Sequence, residues 1–382
     1  MDKLHIQNFG QIKSADITFG DLTVFVGPQA TGKSIVLQTL KLIMDAGAVQ
    51  EVMGKYGIDW HGKLPEFLDA YFGEGMSSLW RNNETTITWK NKAIDLGSII
   101  GRRQRNKEEN LFFIPAQRVL ALRDGWPRPF ADYRSGDPYA VREFSEKLRG
   151  MVERQSQEGV LFPQPRRLKE GFRDLLQQNL FSSFSLSIDK VQSQKRLVLG
   201  NGKQNGNLPF MVWSAGQREF VPLLLGLYWL MPRGKTSTRD KIKWVVIEEL
   251  EMGLHSRAIS VVLLLIFELI ERGYRVCLST HSPQVLDALW ALRHLKETGA
   301  DPEVLLGIYK APITPSMKKL ATQLLLSSVK IHYFDRESGV TRDISELDPS
   351  ADTPEEAGWG GLSEFSGRAN EAVANAVANT RG

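Results

Sequence analysis

Cys277 is the only cysteine in the 382 residues of the chain. An intrachain disulfide is therefore excluded. The residue sits in an apolar, strand-like run, where a lone thiol serves as a small core side chain, and a reducing cytoplasm fits. Long hydrophobic runs are also missing. The longest, Ala258 to Ile270, is too short to span a bilayer and is expected as a helix buried under a sheet. The opening Met1-Asp-Lys-Leu-His-Ile6 lacks a hydrophobic region of the signal-peptide kind, so a cytoplasmic protein with no membrane contact is expected. No internal repeat and no sustained a/d heptads occur, which argues against a long coiled-coil arm. A strong excess of either charge is absent too, with 48 Lys and Arg against 44 Asp and Glu. A net charge of +4 and a pI near 9.0 permit nucleic acid without arguing for it. With 42% hydrophobic and 24% charged residues, the composition is that of an ordinary globular protein. The length calls for one large α/β domain carrying insertions, or for two lobes.

What is present starts at Leu22-Thr-Val-Phe-Val26, a short apolar strand. It runs into Gly27-Pro28-Gln29-Ala30-Thr31-Gly32-Lys33-Ser34 and then an apolar helix beginning at Ile35. The loop fits G-x-x-x-x-G-K-[ST], the phosphate-binding P-loop. Glycines let the backbone turn so that several N–H groups face phosphate oxygens, and the helix adds its positive end to the same spot. Lys33 reaches the β- and γ-phosphates, and the Ser34 hydroxyl is a Mg²⁺ ligand. A chance glycine turn before a core helix would spell a similar string. The strand before and helix after are the context the motif requires.

The chain around it reads as follows. Strands are expected at Lys3 to Phe9 and Ala15 to Val26, with Ile12-Lys13-Ser14 between them, and a helix at Ile35 to Ala46. From Val49 to Gly101 the pattern loosens, with a strand at Thr85 to Trp89 and a short partner near Ala93 to Leu96. Gly101-Arg-Arg-Gln-Arg-Asn-Lys107 is a basic cluster, read first as a solvated loop. The strand Leu111 to Ile114 leads into Ala116-Gln117-Arg118. Residues 121–207 read as a helical insertion with a small sheet. Strands then alternate with helices from Met211 to Leu295, which argues for a largely parallel sheet with helices on its faces. The tail holds a helix near Met317, a strand near Lys330 and a final alanine-rich helix, Ser363 to Ala378, expected to pack late or on a partner. The division expected is 1–120 and 208–312 for the two parts of one domain, 121–207 for the insertion and 313–382 for a C-terminal extension.

Three more motifs follow the P-loop, each at the end of a different element. Trp244-Val-Val-Ile247 ends in Glu248-Glu249, and ligands collect at the carboxyl ends of strands in open α/β sheets. One carboxylate there can hold Mg²⁺ and the next can polarise an attacking water. The strand ending at Ser279 continues into Thr280-His281-Ser-Pro, and His281 near a γ-phosphate can donate a hydrogen bond. Ser214-Ala215-Gly216-Gln217 opens a helix, with Ser214 as its N-cap. On its own that is an ordinary capped helix start. Its place between the P-loop and the Glu-Glu strand is what singles it out.

In order and wording these motifs resemble the ATP-binding-cassette class of ATPases, in particular its non-transporter branch of SMC, RecF and OLD-like AAA-family ATPases. Leu4-His-Ile-Gln-Asn-Phe-Gly-Gln-Ile12 resembles that branch's first strands, and Trp213 to Gln217 its signature motif. Val246-Ile-Glu-Glu-Leu-Glu-Met-Gly-Leu-His255 resembles the Walker B and D-loop run, with Leu250 where proline is usual, and Ser279-Thr-His281 the switch histidine. The resemblance implies a P-loop NTPase fold, a mixed sheet flanked by helices. It implies two copies sandwiching two ATP molecules, Ser214 to Gln217 of one facing the P-loop of the other. Lys33 would bind phosphate, Ser34, Glu248 and Gln117 would attend Mg²⁺, Glu249 would be the general base and His281 would sense the γ-phosphate. No second catalytic constellation follows Pro283, neither a Toprim-like acid set nor an HNH cluster. The expectation is an ATPase, homodimeric or larger, that controls a separate effector, a nuclease or toxin, in antiviral defence. The alternative is a DNA-clamping repair or chromosome ATPase, kept by the basic cluster and by Arg166-Arg167-Lys169. A transporter subunit is disfavoured by the inserted middle and the Glu-Glu strand end.

Overall fold

The computed structural model describes residues 2–155, 159–163, 168–181, 185–191, 194–200, 206–232 and 238–380. Arg166-Arg167 and several other residues of the stretch 121–207 read as an insertion lie outside the described residues.

The organising element is a six-stranded sheet in the order Thr341–Asp343, Val329–Phe334, Leu22–Val26, Arg275–Ser279, Trp244–Ile247, Leu111–Ile114. The first pair is antiparallel and every other pairing is parallel. Leu22–Val26, Trp244–Ile247 and Leu111–Ile114 are buried along their whole length, as expected where both faces of a parallel sheet are covered. Side chains alternate between two cores. Leu22, Val24, Val26, Val245, Ile247, Val276 and Leu278 join one, and Phe25, Val246, Cys277, Phe113 and the P-loop helix join the other. The first core also contains the helices Ala215–Leu230 and Ser256–Glu271. Residues of 121–207, including Leu148, Phe172, Leu186 and Leu197, belong to it as well, so the insertion shares the main core.

Two readings of the chain change. Ile12-Lys13-Ser14 is not a connection but the first half of a strand, Ile12–Thr18, paired antiparallel with Lys3–Phe9 in a second sheet that also holds Thr86–Trp89 and Lys92–Ala93. Only Ile12, Ala15 and Ile17 are buried in it, and pairing, not apolar content, makes it a strand. The strand Val329–Phe334, expected in an extension, lies in the central sheet against the P-loop strand, with Ile331 opposite Val24. The boundary at 313 is therefore not a break in the sheet.

The P-loop helix runs Lys33–Lys55, further than the apolar pattern suggested, because Asp45 has non-helical angles (φ −127°, ψ 26°) and the helix resumes after it. Asp45 accepts hydrogen bonds from Lys41 Nζ (2.9 Å) and from the N–H groups of Asn110 (2.8 Å) and Leu111 (3.0 Å). Burial opposes the Lys41 charge, but Asp45, Glu109 and Glu143 outweigh it and hold its pKa well above the ordinary lysine value. The helix is thereby bolted to the start of strand Leu111–Ile114. The loosely patterned region beyond it contains the helix Leu64–Phe72 and a short turn, Met76–Leu79. The final helix, Glu364–Thr380, presents exposed Phe365, Val373 and Val377.

Candidate functional site

All parallel strands end on one side of the sheet, and the motifs meet there. A cleft of about 210 Å³ is lined by the P-loop from Gln29 to Ile35, by Glu249, Ser279 and His281, and by Gln11, Met76 and Leu79. The loop takes its shape from residues that must tolerate positive φ: Gly27 at +135° and Gly32 at +96°. A Cβ on Gly27 would stand 2.5 Å from the Phe334 carbonyl oxygen, and one on Gly32 would stand 2.5 Å from Ile12 Cγ1. Close approach of the Phe334 backbone at Gly27 and of the Ile12 side chain at Gly32, together with positive φ, calls for glycine at both. Gly32 caps the helix without a side-chain bond, so the first N–H groups of Lys33–Lys55 open towards the cleft.

Lys33 Nζ donates to the carbonyls of Gly27 (2.7 Å) and Pro28 (2.6 Å). Burial lowers its pKa to about 8, while Glu249 and Glu251 oppose that shift. Phosphate oxygens offer the same ammonium a stronger, charged partner than two carbonyls.

Glu248 is buried at the end of its strand. Its Oε2 accepts the Ala116 N–H at 3.1 Å, and Oε1 has no hydrogen bond of ordinary geometry among the described residues. Burial pushes its pKa up to about 7, against the pull of the Ser34 hydroxyl and the Ala116 N–H. A buried carboxylate with one oxygen unpartnered, on a side chain that also feels the Ser34 hydroxyl, offers the oxygen ligands a hard divalent cation takes. No group of three or more acidic, His or Cys side chains is available to hold a metal among the described residues. One carboxylate, one hydroxyl and substrate phosphates are the usual set for Mg²⁺.

Glu249 has φ +44°, a left-handed conformation unusual for a residue with a Cβ. Its N–H donates to Ser279 Oγ (3.1 Å), and its Oε1 lies 3.9 Å from His281 Nε2. Burial and the Lys33 charge keep the His281 pKa below its ordinary value, despite Glu249 and Glu251. That shift favours the neutral ring over the charged one.

Two residues that bind this site together escaped the sequence reading. Glu251 accepts hydrogen bonds from Thr280 Oγ1 (3.0 Å) and from the His281 N–H, joining the two strand-end loops. Arg118, wholly buried, donates to carbonyls at Glu248 and Glu249 and to the carbonyl of Glu219. Glu251 was visible only as part of an acidic run, and Arg118 only as the neighbour of Gln117. Gln117 itself is exposed and does not line the cleft; Ala116 and Arg118, either side of it, make the contacts to the glutamates.

Ser214 to Gln217 also stand off the cleft lining. Ser214 Oγ accepts the Gln217 N–H (3.2 Å) and Gln217 Oε1 accepts the Ser214 N–H (2.9 Å), a reciprocal capping box. Gly216 packs on Gly253, whose carbonyl oxygen would lie 2.8 Å from an added Cβ.

Two family models divide most of the chain between them. Residues 1–99 match "AAA ATPase domain", and residues 103–287 match "AAA domain, putative AbiEii toxin, Type IV TA system". The chain is an AAA-family P-loop ATPase. No curated protein matches this ATPase in sequence. Among solved structures, the SMC head domain from Thermotoga maritima is 12% identical to it, with 89% of this chain and 97% of that chain covered and a TM-score of 0.35. An SMC head bound to the C-winged helix domain of ScpA is 10% identical, with 89% and 95% covered and a TM-score of 0.43. A dimeric ATP-binding cassette in a post-hydrolysis state with ADP and Pi is 14% identical, with 75% and 90% covered and a TM-score of 0.31. No helix among the described residues of the ATPase is long and apolar enough to cross a membrane.

Proposed function

We propose that this ATPase closes as a pair of copies, head to tail, around two molecules of Mg-ATP, and that closing and reopening switch a separate effector protein, a nuclease or toxin, in antiviral defence. The observation that carries this reading is that the ATP-handling groups are divided. The P-loop, Glu249 and His281 share one cleft, while Ser214 to Gln217 lie outside it beside two neighbouring apolar side chains, Met211 and Val212, that are 66% and 61% exposed. Large apolar groups beside a helix N-terminus suit a surface covered in the working assembly. A second copy provides the cover and brings a helix end to its neighbour's phosphates. The toxin–antitoxin wording of the matched family supports a partner in a toxin–antitoxin pair.

In this reading the P-loop N–H groups and Lys33 hold the β- and γ-phosphates. Ser34 and Glu248 would hold Mg²⁺, which when bound neutralises phosphate charge. Glu249 orients and deprotonates the attacking water, and His281 donates to the γ-phosphate. Met76 and Leu79 give the cleft an apolar wall for the nucleobase, and the Gln11 amide offers its edge a polar partner. The wall is preformed. Asp69 accepts the N–H and hydroxyl of Ser77 (2.7 and 3.0 Å), and the Leu79 carbonyl accepts the Gly10 N–H (3.0 Å).

The test is the mass in solution of the Glu249→Gln chain with and without Mg-ATP. ATP is expected to trap a dimer or larger assembly; an unchanged monomer would count against the mechanism. A DNA-clamping role remains the second reading because Gln50 pins the basic loop. Its side chain bonds the carbonyls of Ile99 (2.8 Å) and Arg102 (3.2 Å) and the Gln104 N–H (3.0 Å), leaving Arg102, Arg103 and Arg105 exposed. Hydrolysis stimulated by DNA, with a steep salt dependence, would favour it.

A further inference from the structure

Arg118 has no part in the chemistry above, yet it is the most heavily engaged side chain at the site. It follows strand Leu111–Ile114 and is wholly buried. Nη1 donates to the carbonyls of Glu248 (3.0 Å) and Glu249 (3.1 Å), and Nη2 to that of Glu249 (3.2 Å), with longer contacts of 3.5 Å to Leu250 and Met252. On its other edge, Nε donates to the Glu219 carbonyl (3.2 Å) and lies 3.7 Å from the Glu219 carboxylate. Only a planar fork reaches both groups at once; an ammonium has neither the span nor the fixed directions.

The two segments it joins carry the proposed base and the proposed partner-facing helix start. One is the loop that carries Glu249 in its left-handed conformation. The other is the helix Ala215–Leu230, whose N-terminus is Ser214 to Gln217 and whose second turn contains Glu219. The same two segments touch again where Gly216 rests on Gly253 and where Gly253 faces Glu219 Cγ. A tilt of the helix start cannot leave the loop where it was, because Arg118 and the glycine contact grip both.

We infer that Arg118 is a positioning residue. It holds the Glu249 backbone in its unusual conformation and ties it to the signature helix, so that a partner seated on Ser214 to Gln217 is felt at Glu249 of the same chain. The inference rests on the reading of Glu249 as the base.

The test uses the full chain. It compares steady-state ATP hydrolysis with equilibrium binding of N-methylanthraniloyl-ATP for Arg118→Lys, alone and with Glu249→Gln. Arg118→Lys is expected to lower kcat by about 100-fold, the order of loss that a misplacement of about 1 Å brings. KM and nucleotide affinity should stay within about twofold of the unsubstituted chain, a split that general loss of structure would not give. With Glu249 already changed, Arg118→Lys should cause no further loss, since the two act through one group. Glu219→Gln, a change of nearly equal size that keeps the backbone carbonyl Arg118 bonds, should lower kcat by a few-fold with binding intact. Wild-type kcat in Arg118→Lys or in Glu219→Gln, or equal fractional losses with and without Glu249, would overturn the inference. Full hydrolysis by Glu249→Gln would instead remove the base reading beneath it.

Discussion

Glu248 sets stability against function in a way that can be measured. In the folded chain burial raises its pKa to about 7, from 4.5 for an ordinary glutamate. Between those values the folded state keeps a proton that the unfolded chain has lost. Stability from this group is therefore present at low pH and falls as pH rises through 4.5 towards 7, the reverse of a salt-bridged carboxylate. At pH 8 ionising the buried group costs about 3 kcal/mol relative to the unfolded chain, and at pH 5 less than about 1 kcal/mol. Glu248→Gln removes that penalty while keeping an oxygen for the Ala116 N–H. A chain of 382 residues unfolds with an entropy of about 0.8 kcal/mol/K, so the gain amounts to about 4 °C in Tm at pH 8 and about 1 °C at pH 5. Melts followed by the fluorescence of the 9 tryptophans, in chelator and without nucleotide, at the two pH values would read it. Hydrolysis should vanish in the same variant. A melting point at or below that of the unsubstituted chain at pH 8, or a gain of equal size at pH 5, would refute the reasoning.

Gly32→Ala places a Cβ 2.5 Å from Ile12 Cγ1 at φ +96°; it should destabilise the protein by about 2 kcal/mol and abolish nucleotide binding, measured by melting and by titration with ATP. Met76→Ala should weaken ATP by about tenfold, the burial energy of one apolar side chain, and leave inorganic tripolyphosphate unaffected in calorimetry. Equal weakening of both ligands would remove the nucleobase from that wall. Asp45→Ala leaves the buried N–H groups of Asn110 and Leu111 without their acceptor and takes one of three carboxylates from Lys41. Denaturant titration should show a loss of about 3–5 kcal/mol.

The sequence by itself determined the parts of this protein that depend on neighbours in the chain. The P-loop was legible because sharp turning, close backbone approach and a helix start are needed within eight consecutive residues. The N-cap at Ser214 was legible for the same reason, and so were the buried strands that end at Glu248 and Ser279; the reciprocal bond from Gln217 came with the structure. Tertiary structure alone decided which strand lies beside which. Nothing in Val329–Phe334, a strand that mixes Lys330 and His332 with apolar residues, states that it pairs with Leu22–Val26, since partners are chosen by packing across the whole domain. It alone brought Met76 and Leu79 to the cleft from a short turn with no periodic signal. It also gave Arg118 its meaning, because the carbonyls that satisfy its guanidinium belong to segments more than a hundred residues further along. A buried charge can be recognised as such only once the groups that neutralise it have been brought around it.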